Sequence, residues 1–497
     1  MSSIETLVGS MDTDQQRRFL IYQKQKNKRS DTHNMKLFRY LAAGMTKKQA
    51  ASKIYPAKNS NAFNILTKRL YDSLINFIAF EGFKNDASNE MDLLKLLLTA
   101  RILLKQQHYK TAFKLLRKVT HKAESLELYS LAVEAGHTHI EYLHKDSSVK
   151  KNDVIINTRS NLVKLQQAEK LNISFAGFRQ SIATIERTSE IKNLNTILET
   201  FFGIESGLQD SFTYKTLFQL MDISNEYASL YQEYHSIAPF MEKVYGLIAK
   251  KESLSDYNLY YHIQVVYLMA NLYFRNQNFS TSQIWLDKME ILMKNRLHRY
   301  ENRFLLKYTL LKSLNLHYVG KTHNAIALSE TNLSIVRKPE ITDKYNLLLA
   351  LAMYYFYLED LKKTASILKL WNSSDSTYEK KLGIDWITKK KLFEIIFHIE
   401  MENHELALSR IKSFKRKYKP YLTSLHNAFI FLKLIEMHLK NPENTSSQKF
   451  IEYANSKIIW QKQDQEDIFV ISFYAWLKSK MTRTTLALAL SNLIKPL

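Results

Sequence analysis

The apolar and polar positions of "ARILLKQQHYKTAFKLLRKV" (Ala100–Val119) and "ANLYFRNQNFSTSQIWLDKM" (Ala270–Met289) fall in one register, although the two stretches share few residues. Ala100, Leu103, Tyr109, Ala112, Leu116 and Val119 correspond to Ala270, Tyr273, Phe279, Ser282, Leu286 and Met289. The pattern returns at Ser313, Leu316, Thr322, Ala325, Ser329 and Asn332, and again at Ala352, Tyr355, Leu361, Thr364, Leu368 and Trp371. A weaker copy runs through Ile395, His398, His404, Ala407, Ile411 and Phe414. Spacings of three and four keep side chains on one helical face, so each copy predicts a pair of helices. The polar breaks "KQQH", "RNQN", "VGKTH" and "LEDL" suit the joins of antiparallel hairpins. A small residue in each helix, such as Ala100 with Ala112, lets the two backbones approach, and the aromatic before the second helix fills the corner. One hairpin cannot bury its apolar face alone, so neighbours must stack.

These positions resemble the tetratricopeptide repeat over Leu96–Thr120 and Asn258–Lys415. The resemblance implies an all-α fold, an α-solenoid of antiparallel helix hairpins with a groove that takes up a segment of another protein. The copies are wider than the family's period of about 34 residues. Ser282 to Ala325 is 43 residues, Ala325 to Thr364 is 39, and Thr364 to Ala407 is 43. The usual proline after the second helix is missing, which leaves room for another helical-hairpin array of similar geometry. The stretch Ser125–Asp256 is helical in composition without a clear copy, and divergent repeats are expected there. The closing "RTTLALALSNLIKPL" predicts an amphipathic helix that caps the last apolar face.

Composition agrees with helices. Six Pro and ten Gly in 497 residues are too few for the turns of a β-rich chain. The chain has no cysteine, so disulfides, zinc–thiolate sites and iron–sulfur clusters are excluded. The longest apolar run, Leu347–Leu358, falls short of the roughly 20 residues that cross a membrane. The start shows no basic segment followed by an apolar block. A cytoplasmic, soluble protein is the expectation. The net charge of +23 favours acidic partners, whether nucleic acid, acidic protein or an anionic surface. A lysine-rich proteome accounts for it equally well.

Met11–Leu70 carries fourteen Lys and Arg against three Asp. Residues 1–85 therefore read as a basic N-terminal helical domain, 91–497 as the solenoid with its capping helix, and the loop Glu81–Glu90 as the boundary. Gly44 and Pro56 separate helical patterns, and Ser60 suits the start of the last one. The piece "LAAGMTKKQAASKIYPAKNSNAF" resembles the DNA-binding helix-turn-helix of response-regulator type through Gly44, Met45, Thr46, Ala51 and Ile54. Its join, with Pro56 inside, is a residue or two longer than in that family. The resemblance implies that Lys58, Asn59, Asn61 and Asn64 face a major groove and that Lys47, Lys48, Lys68 and Arg69 contact phosphates. The plainer alternative is a solvated basic cap on the first repeat, with Phe19, Tyr22, Phe38, Tyr40 and Phe63 in its core. A second basic cluster, "IKSFKRKYKP", follows the last repeat helix, where cations favour the helix dipole.

Catalytic signatures are scarce. The sequence holds no GxxxxGK[ST], GxGxxG or HExxH. His137, Glu141 and His144 share a helical face that suits a divalent metal, but no fourth ligand is evident, and a solvated face beside Lys145 and Asp146 explains them better. No nucleophile elbow occurs. The expectation is a non-enzymatic scaffold or adaptor without cofactor that binds a protein or peptide, acidic by charge. The rival is a nucleic-acid-associated regulator that uses the basic N-terminal helices.

Overall fold

The computed structural model describes the chain except residues 1–2, 12, 27–31, 56–59, 86–88, 189–211, 232–233, 252–256, 299, 337–338, 372–373, 419–425, 459–467 and 495–497. Every regular element among the described residues is a helix, and none of these helices is long and apolar enough to cross a membrane. The chain divides into two units, Met1–Leu162 and Val163–Leu497.

In the first unit, α1 (Ser3–Ser10), α2 (Thr13–Lys26), α3 (His33–Ala42), α4 (Lys47–Ile54) and α5 (Ser60–Asn85) share one core. Its centre is aromatic: the Phe19 ring lies 4.6 Å from Phe38 and 5.3 Å from Phe77. Phe19, Phe38 and Phe63 are buried, and Tyr22 and Tyr40 are half-buried. Gly44, at φ +83°, makes the turn out of α3 that side chains with a Cβ resist. Thr46 then opens α4 with a capping box. Its hydroxyl accepts from the Gln49 N–H, and the Gln49 side chain accepts from the Thr46 N–H. The Glu5 carboxylate accepts the next orphan donor, the Lys47 N–H, at 2.6 Å.

A second core of the same unit joins α6 (Asn89–Lys105), α7 (Tyr109–Ser125) and α8 (Tyr129–Glu141) around Ala100, Ala112, Leu116, Val119 and Ala135. The stretch Glu81–Glu90, expected as a loop, is helix over 81–85 and 89–90, since α5 runs to Asn85 and α6 starts at Asn89, with residues 86–88 outside the described residues. The long helix α9 (Lys151–Thr188) begins in this unit. It approaches α8 so closely that a Cβ at Gly136 would meet the Thr158 side chain at 2.4 Å.

The second unit is a succession of packed adjacent pairs. They are α10 (Tyr214–Tyr231) with α11 (Tyr234–Ala249), α12 (Leu259–Arg275) with α13 (Phe279–His298), α14 (Glu301–Tyr318) with α15 (Thr322–Ile335), and α16 (Ile341–Tyr357) with α17 (Leu361–Leu368). After α18 (Asp375–Leu382) comes the pair α19 (Ile384–Glu400) and α20 (His404–Lys417). The first helix of each pair also packs on the first helix of the next. Small residues lie where two helices meet: Ala270, Ser282, Ser313, Ala325, Ala352, Thr364 and Ala407 are fully buried. This arrangement is compatible with a helical-repeat fold.

The joins are built alike. Gln107, Gln277, Gly320, Glu359 and Glu402 all have φ near +60° to +80°, each seven residues after the small or apolar residue that opens its copy. In each join the following N–H reaches back five residues to a carbonyl, as His108 does to Leu103 and Asn278 to Tyr273. This is the Schellman stop, which satisfies the last carbonyls of the first helix and reverses the chain.

The chain then runs through α21 (His426–Lys440) and α22 (Gln448–Lys457) to α23 (Ile468–Thr482) and α24 (Leu486–Ser491). Helix α23 is apolar on all sides and buried accordingly. Ile468, Ile471 and Ala475 join the core of α12, α14 and α16, whereas Tyr474, Trp476, Leu477 and Met481 join the core of α19–α22. The Tyr318 hydroxyl meets Ser472 Oγ at 2.6 Å, a contact across 154 residues of chain. Leu490 and Ile494, from the segment expected as a terminal cap, pack in that same earlier core beside Tyr318 and Tyr354.

Candidate functional site

The first helices of the second unit bring one register of side chains to a common cavity of about 420 Å³. Counted from the small or apolar residue that opens each copy, the position six before is Lys307, Asn346 and Lys389 in successive first helices. The position one after is Asn271, Leu314, Met353 and Ile396, and the position five after is Arg275, Tyr318 and Tyr357. Helix α10 joins with Asn225 and Ser229, one and five after the buried Ser224, and with Asp222, two before it. A helix turns 100° per residue, so these offsets form one stripe, and stacking the pairs lines the stripes up.

The stripe changes character along the unit. At α10–α12 it is polar and charge-paired. Asp222 accepts from Arg179 Nη2 at 3.0 Å, Asn271 donates to Asn225 Oδ1 at 2.9 Å, and the Arg275 guanidinium lies 4.1 Å from the centre of the Tyr234 ring. Burial pushes the Asp222 carboxyl above the usual carboxylate range, opposed by the charges of Arg179 and Lys307. Burial does the same to Asp343 of α16, against Lys307 and Arg303. Lys307 of α14 thus acts on both carboxylates, with its ammonium 4.5 Å from the Tyr267 ring centre.

Toward α16–α19 the wall turns apolar, with Met353, Phe356, Phe393 and Ile396, and Phe473, Trp476, Leu486 and Leu490 of the last two helices close that end. Trp386 lines the cavity while its fully buried indole N–H has no hydrogen-bond partner among the described residues. His317 sits in the wall among the rings of Tyr318, Tyr354 and Tyr357, and burial drives its imidazole down to about 3. The arrangement offers donors and acceptors at one end, an aromatic wall at the other, and lysines between. Apolar walls with a few placed polar groups are the usual make-up of a site that orients a ligand.

The residues singled out from the sequence lie elsewhere, in the first unit. Lys48, Asn61, Asn64, Lys68 and Arg69 are exposed, and Asn61, Asn64 and Lys68 share one face of α5. Lys47 is half-buried, its ammonium 6.0 Å from the Phe63 ring centre. Lys58 and Asn59 lie outside the described residues, and so does the Ser60 side chain. Within the helix-turn-helix-like stretch the fully buried alanine is Ala50, and its neighbour Ala51 is half-buried.

His137, Glu141 and His144 are all exposed, and no group of three or more His, Asp or Glu side chains among the described residues is placed to hold a metal ion. The buried histidine is their neighbour His139, whose Nε2 lies 2.9 Å from Asp146 Oδ2. Arg117 donates to the same oxygen at 3.0 Å, and Ser148 donates to Oδ1 from both its hydroxyl and its backbone N–H. Burial works against the Asp146 carboxylate, but these hydrogen bonds from Ser148 and His139, with the Arg117 charge, hold it below the usual range. The cluster ties the loop after α8 to α7.

Comparison with protein-family models, with curated proteins and with solved structures finds no match.

Proposed function

We propose that residues 163–497 form an α-solenoid of tetratricopeptide-like hairpins and act as a cytoplasmic, non-enzymatic adaptor. In this reading an extended segment of another protein, acidic residues interspersed with apolar ones, lies across the stripes of the first helices. The observation that carries it is the shared register. One face of successive first helices lines one cavity, so a segment that crosses them meets the same helix positions at each step. Lys307 and Lys389 supply cations along that path for acidic side chains, and Met353, Phe393 and Ile396 supply the apolar anchor wall. The net charge of +23 adds long-range attraction for such a partner.

The test is affinity capture from nuclease-treated lysate with three baits: the unaltered chain, Asn271→Arg at the polar end and Met353→Arg at the apolar end. Both residues are partly exposed, so the variants should keep the helical content of the parent, with a melting temperature lowered only by the lost Asn271–Asn225 hydrogen bond or the lost Met353 packing. A protein captured by the parent and lost from both variants is the expected result. Equal capture by all three, or retention of nucleic acid alone, removes the groove as the binding site.

A further inference from the structure

The first unit holds a second concavity, of about 400 Å³, between α3 and α4. Its lining is His33, Lys36, Arg39, Tyr40, Lys53 and Ile54: four basic side chains, two uncharged ones and no carboxylate. We propose that this concavity binds the phosphodiester backbone of a nucleic acid. The site lies in a different unit from the adaptor groove, and the proposal stands or falls apart from that function.

Three features support phosphate. Two of the basic side chains are held against rings before any ligand arrives: the Lys53 ammonium lies 5.4 Å from the Tyr40 ring centre, and the His33 ring lies 5.5 Å from Tyr55. Ordering them in advance lowers the entropy that binding must spend. The described carboxylates of Glu5, Asp14 and Glu81 are engaged elsewhere. Glu5 holds the first turn of α4, and Asp14 and Glu81 pair with Arg17 and Arg18. The turn at Gly44 and the capping box at Thr46 set α4 against α3, so the concavity is a property of well-ended helices. An acidic peptide that binds a folded domain also needs apolar anchors. This lining offers one isoleucine and one tyrosine, so the attraction is almost wholly electrostatic, which is the character of backbone binding. None of these four basic residues is among the contacts that the helix-turn-helix resemblance implies, which fall on α4, α5 and the join between them.

The experiment is fluorescence anisotropy on the full chain with a labelled 20-base-pair DNA duplex and a labelled single-stranded RNA, each titrated at several salt concentrations. Polyglutamate and vesicles containing anionic lipid serve as competitors. The variants are Lys36→Glu/Arg39→Glu/Lys53→Glu, the milder Lys36→Gln/Arg39→Gln/Lys53→Gln, and Lys68→Glu/Arg69→Glu on α5 as the control. Binding by the parent should weaken at least tenfold in the glutamine variant and further in the glutamate variant. The slope of log K against log salt should shrink by about 2 to 3, the release of roughly three counterions. The preferred probe, DNA or RNA, tells which nucleic acid the site takes. The proposal is overturned if the parent binds neither probe near 50 mM salt, or if polyglutamate or vesicles displace the probe at equal charge. Loss of binding in the α5 control with none in the α3–α4 variants also overturns it. Circular dichroism that shows the glutamine variant folded keeps each of these outcomes readable.

Discussion

Ser282 donates its hydroxyl hydrogen to the backbone carbonyl of Ala270 at 2.8 Å, and the same oxygen accepts from Asn315 Nδ2 at 2.9 Å. One small side chain thus joins α13 to α12 and α12–α13 to α14. Ser282 and Ala270 are both fully buried, and the approach leaves no room for a longer residue. Ser282→Ala keeps the volume but takes the partner from the Asn315 amide, whose Oδ1 already has none. A loss of about 1 to 2 kcal/mol is expected. Ser282→Leu must also push the helices apart, adding about 1 to 3 kcal/mol. Urea denaturation of the two variants should rank them in that order; equal midpoints would mean the helices do not meet there.

The joins give a second expectation. Gly320 has φ +81° and open space around its missing Cβ, so Gly320→Ala is a test of backbone strain alone. It should cost about 1 kcal/mol. Glu359→Gly at the equivalent place, φ 61° and exposed, should gain up to about 1 kcal/mol for the opposite reason. Thermal melts that move in opposite directions are the expected outcome.

How much of this was legible depended on which physical demand each residue met. Close approach of helices requires small side chains, and that requirement shows in the letters at Ala100, Ala112, Ala270 and Ala352. The left-handed residue in each join is Gly only at Gly320; Gln107, Gln277, Glu359 and Glu402 adopt the same φ without announcing it. The pair α10–α11 escaped because its small residue is Ser224 and its second helix begins at Tyr234, out of step with the other copies. The cavity was hidden for another reason. Its stripe carries Lys307, Asn346 and Lys389 at one offset, chemically unlike residues whose only common property is where they point. Counting six back from Ser313, Ala352 and Ile395 would have found them. In the first unit the spacing of His137, Glu141 and His144 drew attention to a solvated face, whereas the buried His139 gains its meaning from Asp146 seven residues on.

His317 makes stability depend on pH in a direction fixed by its burial. Its imidazole is held down to about 3 in the fold, against about 6.5 when the chain is unfolded. Below pH 6.5 the unfolded chain takes up a proton that the folded chain refuses, so stability is full above that pH and declines as pH falls toward 3. Between pH 7.5 and 5.0 the loss from this one group is about 2 kcal/mol. His317→Gln cannot titrate and retains a polar group near Thr322 Oγ1, which lies 3.1 Å from His317 Nδ1. Its urea midpoint should fall less than the parent's over that interval. Parallel curves for the two proteins would show that His317 protonates freely in the fold.

The contact between Tyr318 and Ser472 tests where the last helices belong. Ser472 donates to the Ile468 carbonyl within its own helix, so the Tyr318 hydroxyl is the donor to Ser472 Oγ. Around it Ile468, Ile471 and Ala475 bury against α12, α14 and α16, and Phe473 and Trp476 close the apolar end of the cavity. If α23 lies there in solution, Tyr318→Phe and Ser472→Ala should each lower stability by about 1 kcal/mol. The double variant should then lose less than the sum, with a coupling of about 0.5 to 1.5 kcal/mol, because the second change removes a partner already gone. Strict additivity would place α23 away from α14. The same pair reports on the groove: a segment that fills the cavity beside Phe473 should protect the α23 amides from hydrogen exchange in the parent, and Ser472→Ala should weaken that protection without changing exchange in α6 and α7.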